Sequence, residues 1–213
     1  KYPGAAGTVY LEDNISGEDE LVIDNSAIGI SNNETYIEGT VTAPINVTSS
    51  KIKFVGETVL DGDIVATDSE IYQSGTLTIN GAYNLTGSTL HQTGDIVMPD
   101  NTMLVDGWTW EMNGVQMWSE ITLRNGGKII QPHASSHSSE KLHLTVGDLT
   151  IEDNESGIDV SGRGLTGQGI ALHNYAGGSY GGKGGMGYQG AATLVIEPYG
   201  SITEPVHFGT GAK

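Results

Sequence analysis

The chain has 213 residues, no cysteine, 32 glycines and a formal net charge of −17 from 26 acidic and 9 basic residues. So acidic a surface repels nucleic-acid phosphate and anionic lipid, which excludes nucleic acid and direct membrane insertion as expected partners. The lack of cysteine removes disulfides, thiolate metal sites and cysteine nucleophiles, and no run of about 18 apolar residues is present to suggest a spanning helix.

Taken in order, residues 1–8 are a loose Gly/Ala/Pro stretch. Val9-Tyr10-Leu11 and Leu21-Val22-Ile23 are the first predicted strands, on either side of an acidic loop, followed by Tyr36-Ile37-Glu38 and Thr40-Val41-Thr42. Lys51-Ile52-Lys53-Phe54-Val55 leads into residues 57–131, where one plan repeats: a short strand, a Gly, Asn or Asp corner, another short strand. Leu77, Ile96 and Val115 mark a recurrence of about 19 residues, the length of one coil in a stack that buries a core only by adding neighbours. The pattern resumes at Leu142–Val146, with residues 162–190 predicted as a Gly-rich excursion because so many glycines disfavour a strand. Leu194-Val195-Ile196 is predicted to return to the stack.

These features predict an all-β chain built as a parallel β-helix with three strands per turn, residues 1–213 forming one segment of a longer parent. A β-sandwich is the alternative. It gains support from Asn80-Gly81, Asp106-Gly107 and Asn113-Gly114, which also suit hairpin turns.

Several segments carry a resemblance: Gly7–Leu11 with Leu21–Asn25, Leu144–Ile151 with Ile158–Gly162, Gly177–Gly182, and Tyr199–Pro205. They resemble parts of large, repetitive extracellular adhesin-like proteins with predicted right-handed parallel β-helix segments. The resemblance implies a secreted or cell-surface location and a role in display, scaffolding or adhesion. It supplies no catalytic residue, and Phe208-Gly209-Thr210-Gly211 departs from the Leu-Gly-Ser-Gly-Gly ending expected of it.

Candidate chemistry is sparse. Trp108 and Trp110 fall on one face of a strand with Trp118 following, and exposed indoles there would stack on sugar rings of a surface glycan; the same residues facing inward would fill a core. Tyr72, Tyr83 and Tyr180 would extend such a surface. Asp61 and Asp63 flank a glycine and offer hard oxygens for calcium, though Asp at a bend is ordinary turn chemistry. Asn14, Asn33, Asn46, Asn84 and Asn154 each begin an Asn-x-Ser/Thr sequon, the acceptor for glycosylation. His133 and His137 are four apart, but in a Pro- and Ser-rich loop rather than a helix. Paired carboxylates of a glycosidase are not distinguishable among the corner acids. The expected function is therefore a non-catalytic stalk or scaffold that associates with itself or with neighbouring domains. Carbohydrate binding is the alternative, and polysaccharide degradation comes after it.

Overall fold

The structure, a computed structural model, describes residues 7–11, 19–25, 34–134, 141–164 and 203. The Gly-rich excursion from residue 165 onward, and the Leu194–Ile196 strand, lie outside these residues, as do Asn14 and Asn33. No helix occurs among the described residues. The strands in chain order are β1 (Gly7–Leu11), β2 (Glu20–Asp24), β3 (Thr35–Val41), β4 (Ile45–Thr48), β5 (Lys51–Leu60) and β6 (Ile64–Thr67). There follow β7 (Glu70–Gln73), β8 (Thr76–Ile79), β9 (Tyr83–Asn84), β10 (Thr89–Gln92), β11 (Asp95–Val97) and β12 (Thr102–Asp106). The last are β13 (Thr109–Glu111), β14 (Val115–Arg124), β15 (Lys128–Ile130), β16 (His143–Ile151) and β17 (Gly157–Asp159).

These strands stack as a parallel β-solenoid of about five turns. Ile45 lies opposite Ile64, Ile52 opposite Ile71 and Thr58 opposite Leu77, so equivalent residues fall 19 apart on each of three faces. The first face runs β2-β4-β6-β9, the second runs from β5 through β7, β10, β13 and β15, and the third runs from β5 through β8 to β11. β5 serves two faces because it bends at Gly56, whose φ of 61° suits a residue without a side chain. β1 departs from the parallel plan by pairing antiparallel with β2.

Side-chain alternation dictates the core. Ile45 and Val47, Ile52 and Phe54, and Leu60 point inward from the three faces of one turn, and each lies at 1% exposure or less. Every such side chain contributes about 1.5–3 kcal/mol by leaving water. A β-sandwich is excluded, because the neighbours are parallel. Asn80-Gly81, Asp106-Gly107 and Asn113-Gly114 make corners between faces instead of hairpins. A second expectation also needs correcting. Leu77 and Ile96 do stack, in register, but Val115 is 69% exposed and points outward. Gln116 and Trp118 face inward on that strand, because one additional residue enters the turn before β12.

The chain divides into two units, Lys1–Ile130 with Leu142–Ile158, and Gln131–Lys141 with Asp159–Lys213. The solenoid belongs to the first. In the second, the Ala134 N–H donates to the Arg163 carbonyl at 3.1 Å.

Candidate functional site

Among the described residues, the corners of the solenoid carry three rows of ordered polar contacts. Between the first and second faces, Ser49, Asp68, Gly87 and Gly107 all take left-handed backbone, with φ of 46°, 48°, 70° and 71°. After each of the first three comes a buried serine, Ser50, Ser69 or Ser88. The Ser69 hydroxyl accepts the Ser50 N–H at 3.2 Å and donates to its own turn at Thr67 O, 2.8 Å away. Ser88 accepts the Ser69 N–H at 3.0 Å. The left-handed corner residue leaves the next N–H directed along the stack, and the small hydroxyl in the adjoining turn satisfies it.

Between the second and third faces a glutamine does the same work. Gln73 Nε2 donates to Gly75 O (2.6 Å) and Asp95 O (3.0 Å), while its Oε1 accepts the Gly94 N–H at 3.0 Å. Gln92 repeats the first contact at Gly94 O (2.8 Å), reaches Gln116 Oε1 at 3.1 Å and accepts the Trp110 indole N–H at 2.8 Å. Both amides are almost wholly buried, and this satisfaction is what makes their burial tolerable.

Asp61 and Asp63 sit at the corner between the third and first faces. Asp61 Oδ1 accepts from Asn80 Nδ2 at 2.7 Å and Asp63 Oδ1 accepts the Ala82 N–H at 2.8 Å. These carboxylates tie one turn to the next. Among the described residues no group of three or more His, Asp or Glu converges as a metal site would need.

The tryptophans lie inside the solenoid. Trp108, Trp110 and Trp118 are 3%, 0% and 5% exposed, and the Trp110 ring meets Trp118 edge-on at 5.2 Å. With no indole face in solvent, they fill the core instead of offering a platform for sugar. Of the described sequon asparagines, Asn84 and Asn154 are exposed, while Asn46 is partly buried and donates to Glu20. Asn84 Oδ1 is already engaged by the Thr86 hydroxyl at 2.6 Å.

A cluster that the sequence reading overlooked occupies the outer side of the second face. Lys53, Tyr72, His91 and Glu111 are opposite one another on successive strands. The Tyr72 and His91 rings stack at 4.4 Å and 12°, and the Lys51 ammonium lies 4.5 Å from the Tyr72 ring centre. Lys51 and Lys53 both reach Glu34, at 3.6 and 4.0 Å. Burial, aided by the hydroxyl's bond to Glu70 at 2.8 Å, raises the Tyr72 pKa well above the phenol range, so it remains a donor at neutral pH. His91 Nδ1 lies 2.7 Å from Glu111 Oε1, while Nε2 is buried and has no hydrogen-bond partner. A carboxylate-oriented imidazole is the geometry of a general base. Here the free nitrogen is closed to solvent, so no substrate reaches it, and the cluster acts as adhesive between turns. Its sequence signal was the 19-residue spacing of Lys53, Tyr72 and His91.

Compared with protein families, with curated proteins and with solved structures, the chain matches none.

Proposed function

We propose that this chain is a non-catalytic structural segment of a secreted or cell-surface β-helical protein, serving as a stiff stalk or scaffold. The single observation that carries this reading is that polar side chains add to the backbone bonds between turns at the corners, so the bonding is continuous around each turn. Serine, glutamine and Asp/Asn rows each do so at one of the three corners. A load along the axis is then shared among many parallel hydrogen bonds and a continuous apolar core. The outer clusters support the same role, since their charged groups are engaged with one another between turns. Location at a surface rests on the adhesin-like resemblance.

Pulling the full chain by its ends in a single-molecule force experiment tests this. A load-bearing solenoid resists and then yields in steps of one coil. Each 19-residue turn releases about 60–70 Å of extended chain. Smooth extension at low force, without such steps, would remove the stalk reading.

A further inference from the structure

We propose that the solenoid contains a built-in seam between β9–β11 and β12–β14, where two stacks part before either unravels. Elsewhere in the first stack each turn joins the next through all three faces: β4 pairs β6, β5 pairs β7, and β5 pairs β8. At the seam only the second face stays paired, through β10 and β13 from Thr89↔Thr109 to His91↔Glu111. β9 ends one sheet and β11 ends another, while β12 and β14 belong to a new sheet with β16.

The cause is legible in residues 98–103. Three residues separate the inward Leu60 from Ile64 and Ile79 from Tyr83, but four separate Met98 from Met103. The Asp61 N–H donates to Val41 O at 2.9 Å and the Asn80 N–H to Leu60 O at 2.8 Å. Pro99 stands next in that series and has no N–H to give. Asn101 then adopts left-handed backbone (φ 50°), and its carbonyl accepts the Ser119 N–H at 2.9 Å, binding the corner to the second stack.

Side chains replace the missing ladders. The Tyr83 hydroxyl accepts the Leu104 N–H at 2.6 Å, and Gln92 meets Gln116 at 3.1 Å. A backbone bond from the Gly87 N–H to Gly107 O, 2.9 Å, lies beside the retained face. The arrangement is a hinge, with its axis on the second face, where His91–Glu111 reinforces the retained ladder, and side-chain latches at Tyr83 on the first face and at Gln92–Gln116 beside the third. Local opening is favoured where few backbone bonds must break.

Hydrogen exchange of the full chain, resolved by peptide, tests the seam. Amides of β9, β11 and β12 should exchange roughly tenfold or more faster than those of β6 and β8 if one latch-sized contact separates the two openings. Tyr83→Phe, which deletes the acceptor but keeps the ring, should raise exchange at Leu104 and its neighbours roughly fivefold, leaving β4–β8 unchanged. Equal protection on both sides, or a Tyr83→Phe effect spread evenly over all turns, overturns the proposal. The inference deepens the mechanical reading by naming where the stalk would yield. Its test is nonetheless separate, because exchange reports opening whether or not the chain bears load.

Discussion

The turns spanning residues 45–98 and those spanning 103–151 fill the same triangular interior with different residues. In the first stack, corner positions inside the solenoid are polar: Ser50, Ser69 and Ser88 at one corner, Gln73 and Gln92 at another. In the second, Trp108 follows the corner where those serines stood and Met112 takes the glutamine position, with Trp118 inside the third face. Small hydroxyls and amides hold neighbouring turns at a fixed separation by bonding to the backbone. Indoles fill volume and impose no such register. The polar series is interrupted at the turn where an additional residue and Pro99 enter, and buried polar side chains return at Gln131 and Ser156, so the shift of register and the change of filling coincide at that one turn. This suggests that the indoles compensate by burial for hydrogen bonds that the displaced turn no longer makes.

The largest effect should come from removing that compensation. Trp110→Ala deletes a fully buried indole and leaves Gln92 Oε1 without its 2.8 Å donor, so a loss of about 3–5 kcal/mol is expected. Denaturant unfolding measures it. Truncating the first-stack member of the same row, Ile71→Ala, should cost about 2–5 kcal/mol. A loss at Trp110 below that at Ile71 would break the view that indoles carry the second stack.

A backbone test sharpens the other half. Gly75 has φ of 96°, and a Cβ there would overlap the Gly56 carbonyl of the preceding turn. Gly75→Ala therefore combines left-handed strain with overpacking, for which about 2–4 kcal/mol is expected. Gly107 also has positive φ, at 71°, but a Cβ would lie no closer than 3.6 Å to another turn. Gly107→Ala should show the conformational part alone, roughly 1 kcal/mol, in the same thermal melts. Equal losses at both positions would mean that the close approach of the Gly56 carbonyl adds nothing to the strain at Gly75.

Gln73→Met asks whether the polar row matters for itself. Methionine is of similar size, and Met112 shows that it fits the equivalent place in the second stack. The Gly94 N–H loses its acceptor, and the Gly75 and Asp95 carbonyls lose a donor, so a cost of about 1–3 kcal/mol follows. A neutral result in equilibrium unfolding would reduce the row to packing.

These contrasts also explain what could be read in the chain beforehand. Strand identity and stacking were legible because inward Ile and Leu recur at a nearly constant interval, as at Ile45/Ile64 and Leu77/Ile96. The interior serines and glutamines were not, because polar residues near turns are ordinarily solvated, and only their partners in adjoining turns make burial tolerable. Yet Ser50, Ser69 and Ser88 recur at the same interval, which was the available signal. Val115 was misplaced because counting forward from Ile96 at a fixed interval ignores the additional residue beside Pro99. The tryptophans were ambiguous in principle, since an indole in a strand has the same sequence signature inside or out. β1 could not be assigned its antiparallel direction, as alternation does not encode strand polarity. The Lys-Tyr-His-Glu cluster needed register between turns before its members became neighbours.

The smallest expected effect concerns an exposed contact of the second stack. Arg124 donates to Asp106 Oδ2 from Nε at 2.9 Å and from a terminal nitrogen at 2.8 Å, and Asn125 adds a bond to Oδ1 at 2.6 Å. Foremost the Arg124 hydrogen bonds, then that of Asn125, hold the Asp106 carboxyl below the usual carboxylate range. A group depressed on folding stabilises the native state above its unfolded pKa and loses that contribution as pH falls through the folded value. The window is therefore acidic, beginning near pH 4 and extending below it. Asp106→Asn should flatten the decline in thermal midpoint across that window while changing little at neutral pH, because the pair is open to solvent and screened by salt. A second variant removes the partner instead: Arg124→Gln keeps the Asp106 carboxyl and takes away both guanidinium bonds. Arg124→Gln should flatten the same acid limb, and a limb unchanged from that of the parent chain would show that the guanidinium contact contributes nothing specific.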